Sequence, residues 1–211
     1  MNYPEIDRLV SRYRDLSACR NDIERSYQLL SDNFRRGGML LACGNGASGF
    51  TAEQLVTGLL TGYLRERPLP QQLDSKLRSS LGDAGARLAD GLQGALPAMS
   101  LGSPAGLVSG IATGVGQDFV FAQQVYAYGR EGDTLVLLAD GDADPNALNA
   151  LRLAGALGLK RIVLCGREPE GFTGHADCLV RVPRVTRREI QELHLPVCNT
   201  LVTMLEQEFF S

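Results

Sequence analysis

The chain has 211 residues, 44% of them hydrophobic, which suits one large globular domain. Its 21 basic and 24 acidic residues give a net charge of −3, which argues against direct nucleic-acid binding and against an anionic membrane partner. No apolar run approaches the ~20 residues that span a bilayer, and the N-terminus has no basic stretch followed by an apolar one. Together with five cysteines that lack CxxC spacing and are expected to be buried thiols, this predicts a cytoplasmic protein.

The N-terminal third of the chain begins with helices and then changes to a buried strand. Apolar residues recur at three- and four-residue steps across 3–36, which predicts a two-helix arm over residues 1–36. The continuous apolar run at 39–43 is typical of a parallel strand covered on both faces. A glycine-rich turn at 44–48 follows, and a helix is predicted from there to about Tyr63.

The rest of the chain alternates strands with helices. A polar, proline-bearing stretch leads into a helical pattern and predicts a helical excursion at about 69–94. Later strands are predicted at 96–101, 134–139, 161–165 and 176–182, and helices at 102–116, 119–128, 146–157 and 189–210. This order predicts an α/β fold: a doubly wound parallel sheet flanked by helices, formed as a single domain over 1–211.

The turn at 44–48 is the first candidate binding site. A glycine-rich turn between a strand and a helix presents free backbone N–H groups and the positive end of the helix dipole at one point. It also lies at the carboxyl end of a strand, where doubly wound sheets collect ligands. Two interpretations stay open, a tight structural turn and an anion or sugar site; in the second, the ligand-binding residues are Gly44, Asn45, Gly46 and Ser48.

Four motifs in order resemble one family. They are CGNGAS at 43–48, YLRERP at 63–68, GREGD at 129–133 and QELH at 191–194. On these the chain resembles the SIS (sugar isomerase) family, in its phosphoheptose isomerase-like and initiator-associating-protein-like subgroup. The resemblance implies an SIS fold, assembly as a homodimer or homotetramer, and a sugar-phosphate or nucleotide-sugar ligand. The segment at about 69–94 has no counterpart in the family and is predicted to be an insertion.

The family's phosphate cradle falls on residues 139–144, where its serine hydroxyls are missing. Asp140, Asp142 and Asp144 stand there instead. A carboxylate ~5 Å from a phosphate charge at an effective dielectric of ~20 costs about 3 kcal/mol, so this loop should repel a phosphate dianion. The three aspartates are interpreted either as a solvated turn with a helix N-cap or as a divalent-cation site.

The zinc and base positions of the family are also largely lost. They fall on Gln54, Gly58, Gln191 and Asn199, and only the glutamine matches, so Gln191 joins the predicted ligand-binding residues. Zinc prefers imidazole, thiolate and carboxylate ligands, and the prediction is therefore no metal and no cofactor. The catalytic residues are unknown.

Glu53 and His194 are weak catalytic candidates. Glu53 is adjacent in sequence to Gln54, which corresponds to a family metal position, and would face about 100° away from it on a helix. His194 falls at a family histidine and serves either packing or a cleft role.

Two functional hypotheses follow. The preferred one is a non-catalytic scaffold that binds a sugar derivative or a protein partner, because the cradle serines and the base are missing. The initiator-associating protein offers a precedent, since it also resembles this chain in carrying asparagine late in the QELH helix. The alternative is an active or altered isomerase of sedoheptulose 7-phosphate, which a phosphate or zinc bound in the cleft would favour.

Overall fold

A computed structural model of the protein describes residues 3–168 and 171–210, and it contains a five-stranded parallel sheet. The strand order β2-β1-β3-β4-β5 requires crossover connections, and the prediction of a doubly wound parallel sheet is confirmed. The predicted domain bounds of 1–211 extend past the described residues at both ends. The strands are β1 Leu40–Gly44, β2 Ala98–Ser100, β3 Thr134–Leu138, β4 Lys160–Cys165 and β5 Cys178–Arg181.

Eight α-helices connect and flank these strands in the described part of the chain. Two short 3-10 segments, Arg14–Cys19 and Gln117–Phe119, lead into α2 and α6. The helices are α1 Pro4–Arg12, α2 Arg20–Arg35, α3 Ala47–Leu60, α4 Gln71–Gly91, α5 Ala105–Gly114, α6 Val120–Tyr128, α7 Pro145–Ala156 and α8 Arg187–Phe209.

The sheet has a hydrophobic core on each face. Alternate residues of a strand point to opposite faces, so in β1 Leu40 and Ala42 join one core while Leu41 and Cys43 join the other. The first core is completed by α1, α2, α3 and α8, and the second by α5, α6 and α7. Burial on both faces explains why the strands read as continuous apolar runs.

The N-terminal helices bury their apolar stripe within the chain. Ile6 and Ile23 are fully buried in the first core, and Tyr27 donates a hydrogen bond from its hydroxyl to Glu208 of α8 at 2.6 Å. Ser31 donates to the same carboxylate at 2.7 Å. Self-association stays a prediction.

The predicted helical excursion contains α4, and the helix is broken in its middle. Gly82 has a positive φ of 55°, which divides α4 into two helical arms. The arms approach so closely that a Cβ on Gly85 would clash with the carbonyl oxygen of Leu77. Leu81 and Leu88 are exposed on these arms. That the segment is an insertion stays a prediction.

The predicted burial of the cysteines is confirmed. Cys19, Cys43, Cys165, Cys178 and Cys198 are all buried and free of disulfides. Burial raises the pKa of Cys19 and Cys198 to about 12, so both are neutral thiols near pH 7. Within residues 3–168 and 171–210, no helix combines the length and apolar character required to cross a membrane.

Candidate functional site

A cavity of about 340 Å³ opens at the carboxyl ends of β1 and β3. The strand order reverses at this pair of strands, and doubly wound folds bind ligands at such a switch point. Three segments meet in this first cavity: the turn after β1, the loop after β3, and the first turns of α8. Its lining includes Asn45, Gly46, Asp140, Asp142, Asp144, Arg187 and Gln191.

The carboxylate of Asp140 joins these three segments. Its Oδ2 accepts a hydrogen bond from the hydroxyl of Ser48 at 3.2 Å and another from the side-chain amide of Gln191. Ser48 belongs to the first turn of α3 and Gln191 to the second turn of α8. The predicted ligand-binding residues of the turn and of the last helix are therefore brought together by an aspartate.

Asp144 occupies the N-terminus of α7 with its own carboxylate. Its Oδ1 accepts a hydrogen bond from the backbone N–H of Ala147 at 3.0 Å, so Asp144 is the predicted N-cap. Its Oδ2 accepts one from the side-chain amide of Asn45 at 2.7 Å. Asn45 accepts in turn from Asn146 at 3.3 Å. The helix terminus next to the turn is thus already paired with a negative charge.

The first cavity is acidic. Asp140, Asp142 and Asp144 face it with one cationic partner, Arg187, whose guanidinium lies next to Gly141. The carboxylates do not converge on one point, and the described part of the chain contains no group of three His, Cys, Asp or Glu side chains that could hold a metal ion. Geometry therefore favours the turn-and-cap interpretation of the aspartates over the cation site.

The family's zinc positions do not form a metal site here. Gln54 is exposed, and Asn199 lines a different cavity beside α1. Gly58 is buried against α8, where a Cβ would lie 3.0 Å from Val202. Only Gln191 lines the first cavity, and one amide is not a ligand set for zinc.

His194 lies in the core one helical turn beyond Gln191. It is 1% exposed, and neither ring nitrogen has a hydrogen-bond partner among the described residues. Burial lowers its pKa to about 4, against the opposing effects of the Cys165 main chain and the Asp140 carboxylate. His194 is therefore a neutral core residue near pH 7 and does not line the first cavity.

Glu53 faces a second cavity, of about 410 Å³, on the other side of the turn after β1. The two cavities share Asn45 and Gly46, while Gly44 lines only the second. Glu53 is half-buried there. Glu53 therefore lines a different cavity from Gln191 and Asp140, and the two cavities adjoin at Asn45 and Gly46.

Arg187 and Asn146 are site residues that the sequence reasoning missed. A usable signal was present for Arg187, because Thr186 and Glu189 have the spacing of a helix capping box and are hydrogen bonded. That pattern places Arg187 at the first position of α8, at the sheet edge where ligands collect. Asn146 carried no comparable signal, since its contacts with Asn45 and with the backbone N–H of Phe121 are long-range.

Known proteins resemble this chain in sequence and in fold. No family model matches it. It is 31% identical over 189 residues to a phosphoheptose isomerase of Yersinia enterocolitica, covering 89% of this chain and 84% of that protein. It is 32% identical over 188 residues to a phosphoheptose isomerase of Aeromonas hydrophila, with the same two coverages.

Solved structures agree on the fold. A phosphoheptose isomerase of Francisella tularensis superposes with a TM-score of 0.70 at 22% identity, covering 95% of this chain and 97% of that one. One from Neisseria gonorrhoeae gives a TM-score of 0.69 at 21% identity, covering 95% and 98%.

Proposed function

Because the chain belongs to the phosphoheptose isomerase-like SIS family, we propose that its first cavity binds a sugar derivative without catalysing phosphoheptose isomerisation. One observation carries the proposal. Asp140 is hydrogen bonded to Ser48 of the turn and Gln191 of α8, so three segments carrying family motifs or their counterparts form one cavity. Its volume of about 340 Å³ falls within the ~300–1,000 Å³ typical of small-molecule sites.

The polar groups of the cavity suit a polyhydroxylated ligand. The carboxylate oxygens of Asp140 and Asp142 accept hydrogen bonds from hydroxyl groups, and the amide of Asn45 and guanidinium of Arg187 supply donors. These groups sit on elements of the scaffold whose positions are fixed by the Asp140 and Asp144 hydrogen bonds. Such a constellation orients a sugar ring without chemical change.

The absence of turnover is proposed because isomerisation requires a base at the reacting carbons. The family base position is Gly58, which has no side chain and packs against Val202. His194 is buried and neutral, and Glu53 faces the second cavity.

An isomerase with a rebuilt site is the second candidate, because Asp140 places a carboxylate in the cavity and the 31%-identical relative is named an isomerase.

We also propose that the protein is cytoplasmic and self-associates, as the family resemblance implies. Leu107 and Tyr126 are large apolar side chains that stay 38% and 66% exposed in the single chain. Light scattering on the purified protein tests the self-association: a mass of two or four chains supports it, and one chain contradicts it. A protein partner could use the same scaffold, and a pull-down from a lysate would then recover it.

The test of sugar binding pairs a thermal-shift titration with a turnover assay. Sedoheptulose and sedoheptulose 7-phosphate are titrated separately, since ligand at 100 times its dissociation constant stabilises the fold by about 2.7 kcal/mol. We expect a shift with at least one sugar and no conversion of sedoheptulose 7-phosphate. Asp140→Ala should abolish the shift, whereas Asp83→Ala, an exposed carboxylate of α4, should retain it.

The outcomes separate the candidates. Turnover that disappears in Asp140→Ala would establish the rebuilt isomerase and overturn the non-catalytic proposal. No shift with either sugar, in a protein that unfolds cooperatively, would overturn sugar binding at this cavity.

A further inference from the structure

The second cavity differs chemically from the first. One wall is apolar, and its polar groups are few, among them the carboxylate of Glu53 and the amide of Gln117. Phe50, which lines this cavity, is 73% exposed, so the cavity presents apolar surface to solvent. The apolar wall consists of Phe50, Val108, Ala112, Val120 and Phe121.

The two cavities meet at Asn45 and Gly46, which line both of them. Asn45 lines both, donates a hydrogen bond to Asp144 in the first cavity, and accepts one from Asn146 in the second. Asn45 and Gly46 are both exposed, so the boundary between the two cavities is open to solvent. A ligand held in the first cavity can therefore extend over Asn45 into the second.

The two linings select different parts of one ligand. The first cavity is lined by three aspartates and one arginine. Its excess of carboxylates accepts hydrogen bonds from hydroxyl groups and repels a phosphate group. The second cavity has an apolar wall, and a ligand that covers Phe50 and Val108 is stabilised because it removes their apolar surface from water. A ligand that satisfies both is an uncharged sugar joined to an apolar group.

We propose that the second cavity is a subsite for the apolar substituent of an uncharged glycoside whose sugar occupies the first cavity. The proposal rests on sugar binding in the first cavity and adds the class of ligand. The occupant is an aryl or alkyl aglycone because the cavity adjoins the sugar site through Asn45 and Gly46. A second copy of the chain is the competing occupant, and the test separates the two.

The probes are matched pairs of methyl and phenyl β-pyranosides of glucose, galactose and mannose, measured by isothermal titration calorimetry. In at least one pair we expect the phenyl glycoside to bind at least tenfold more tightly than the methyl glycoside. Phe50→Ala should reduce the phenyl affinity to the methyl level and leave the methyl affinity unchanged. Phe119→Ala is the matched control, because Phe119 is 46% exposed but does not line the cavity.

Three outcomes would overturn the proposal. If the phenyl and methyl glycosides of every sugar that binds had equal affinities, the apolar subsite would be contradicted, and sugar binding in the first cavity would still stand. No binding of any glycoside would overturn the subsite proposal, and the sedoheptulose titration would then decide separately whether the first cavity binds a sugar. A lower assembly mass of Phe50→Ala by light scattering, with an unchanged phenyl advantage, would assign Phe50 to contact with a second copy.

Discussion

Arg67 and Glu206 form an ion pair that is closed to solvent, with 2.8 Å between Nε and Oε1 and with side chains 0% and 1% exposed. The guanidinium also donates to the carbonyls of Leu59 and Gly58, and its centre lies 4.7 Å from the ring centroid of Phe210. The carboxylate accepts from two backbone N–H groups of the segment after α3. This network fixes that segment to α8.

Glu206→Gln should lower the free energy of unfolding by about 3–5 kcal/mol, because it leaves the buried Arg67 charge without a counter-ion. The matched control is Glu192→Gln, whose partner Arg188 is 89% exposed and whose loss should cost less than ~1 kcal/mol. Urea denaturation of both variants measures the difference. Equal midpoints would show that the buried pair contributes no more than a surface pair.

Acidification should destabilise the protein through His194. Its pKa is lowered from 6.5 to about 4 in the folded state, chiefly by burial, so between these values the unfolded chain binds the proton more tightly. The stability present above pH 6.5 should therefore fall by about 3 kcal/mol as the pH drops to about 4.

His194→Leu should remove most of this pH dependence, because leucine carries no titratable group. The only other histidine, His175, lies in a half-buried loop position, and His175→Gln is the matched control. The measurement is thermal unfolding at a series of pH values. An unchanged slope in His194→Leu would contradict the assignment.

Asp144→Ala should cost about 1 kcal/mol of stability, because it removes the N-cap of α7. It should also release Asn45, which is hydrogen bonded to the same carboxylate. Asp142→Ala changes an exposed aspartate of the same loop and should stay within about 0.5 kcal/mol of wild type. Guanidinium denaturation compares the pair, and equal losses would mean that capping is not the cause.

Gly44→Ala should destabilise the protein by about 1–3 kcal/mol, because the new Cβ would lie 2.8–2.9 Å from backbone atoms of Ser48 and Leu138. Gly110→Ala offers the contrast, since Gly110 lies within α5 with no heavy atom within 4 Å of such a Cβ. It should raise stability by about 0.4–1 kcal/mol. Differential scanning calorimetry should therefore give melting shifts of opposite sign, and shifts of the same sign would contradict the packing argument.

Local patterns in the sequence were sufficient to predict the sheet and most helices. The apolar run around Leu41 and the apolar stripes of α2 and α8 can be recognised from the local sequence alone. The spacing of hydrophobic residues along each segment indicates both its secondary structure and its buried face. Motifs located the turn after β1 and the QELH helix, whereas the meeting of the two through Asp140 is a tertiary contact that no local pattern marks.

Contacts between distant residues could not be predicted. Arg67 meets Glu206 across 139 positions, and Asn45 meets Asp144 across 99, with no local pattern that marks either pair. The break at Gly82 was missed because an isolated glycine is tolerated inside helices. The second cavity depends on how α3, α5 and α6 pack, which single-sequence periodicity does not specify.

The sheet ends on short edges: β2 has three residues and β5 has four. Unpaired N–H and C=O groups along an edge strand recruit strands of other molecules, and long flat edges are the usual starting points of aggregation. With so few such groups at either margin, the fold offers little template for intermolecular strand addition. The protein should therefore stay soluble at high concentration, and variants that lengthen β2 would be the first to precipitate.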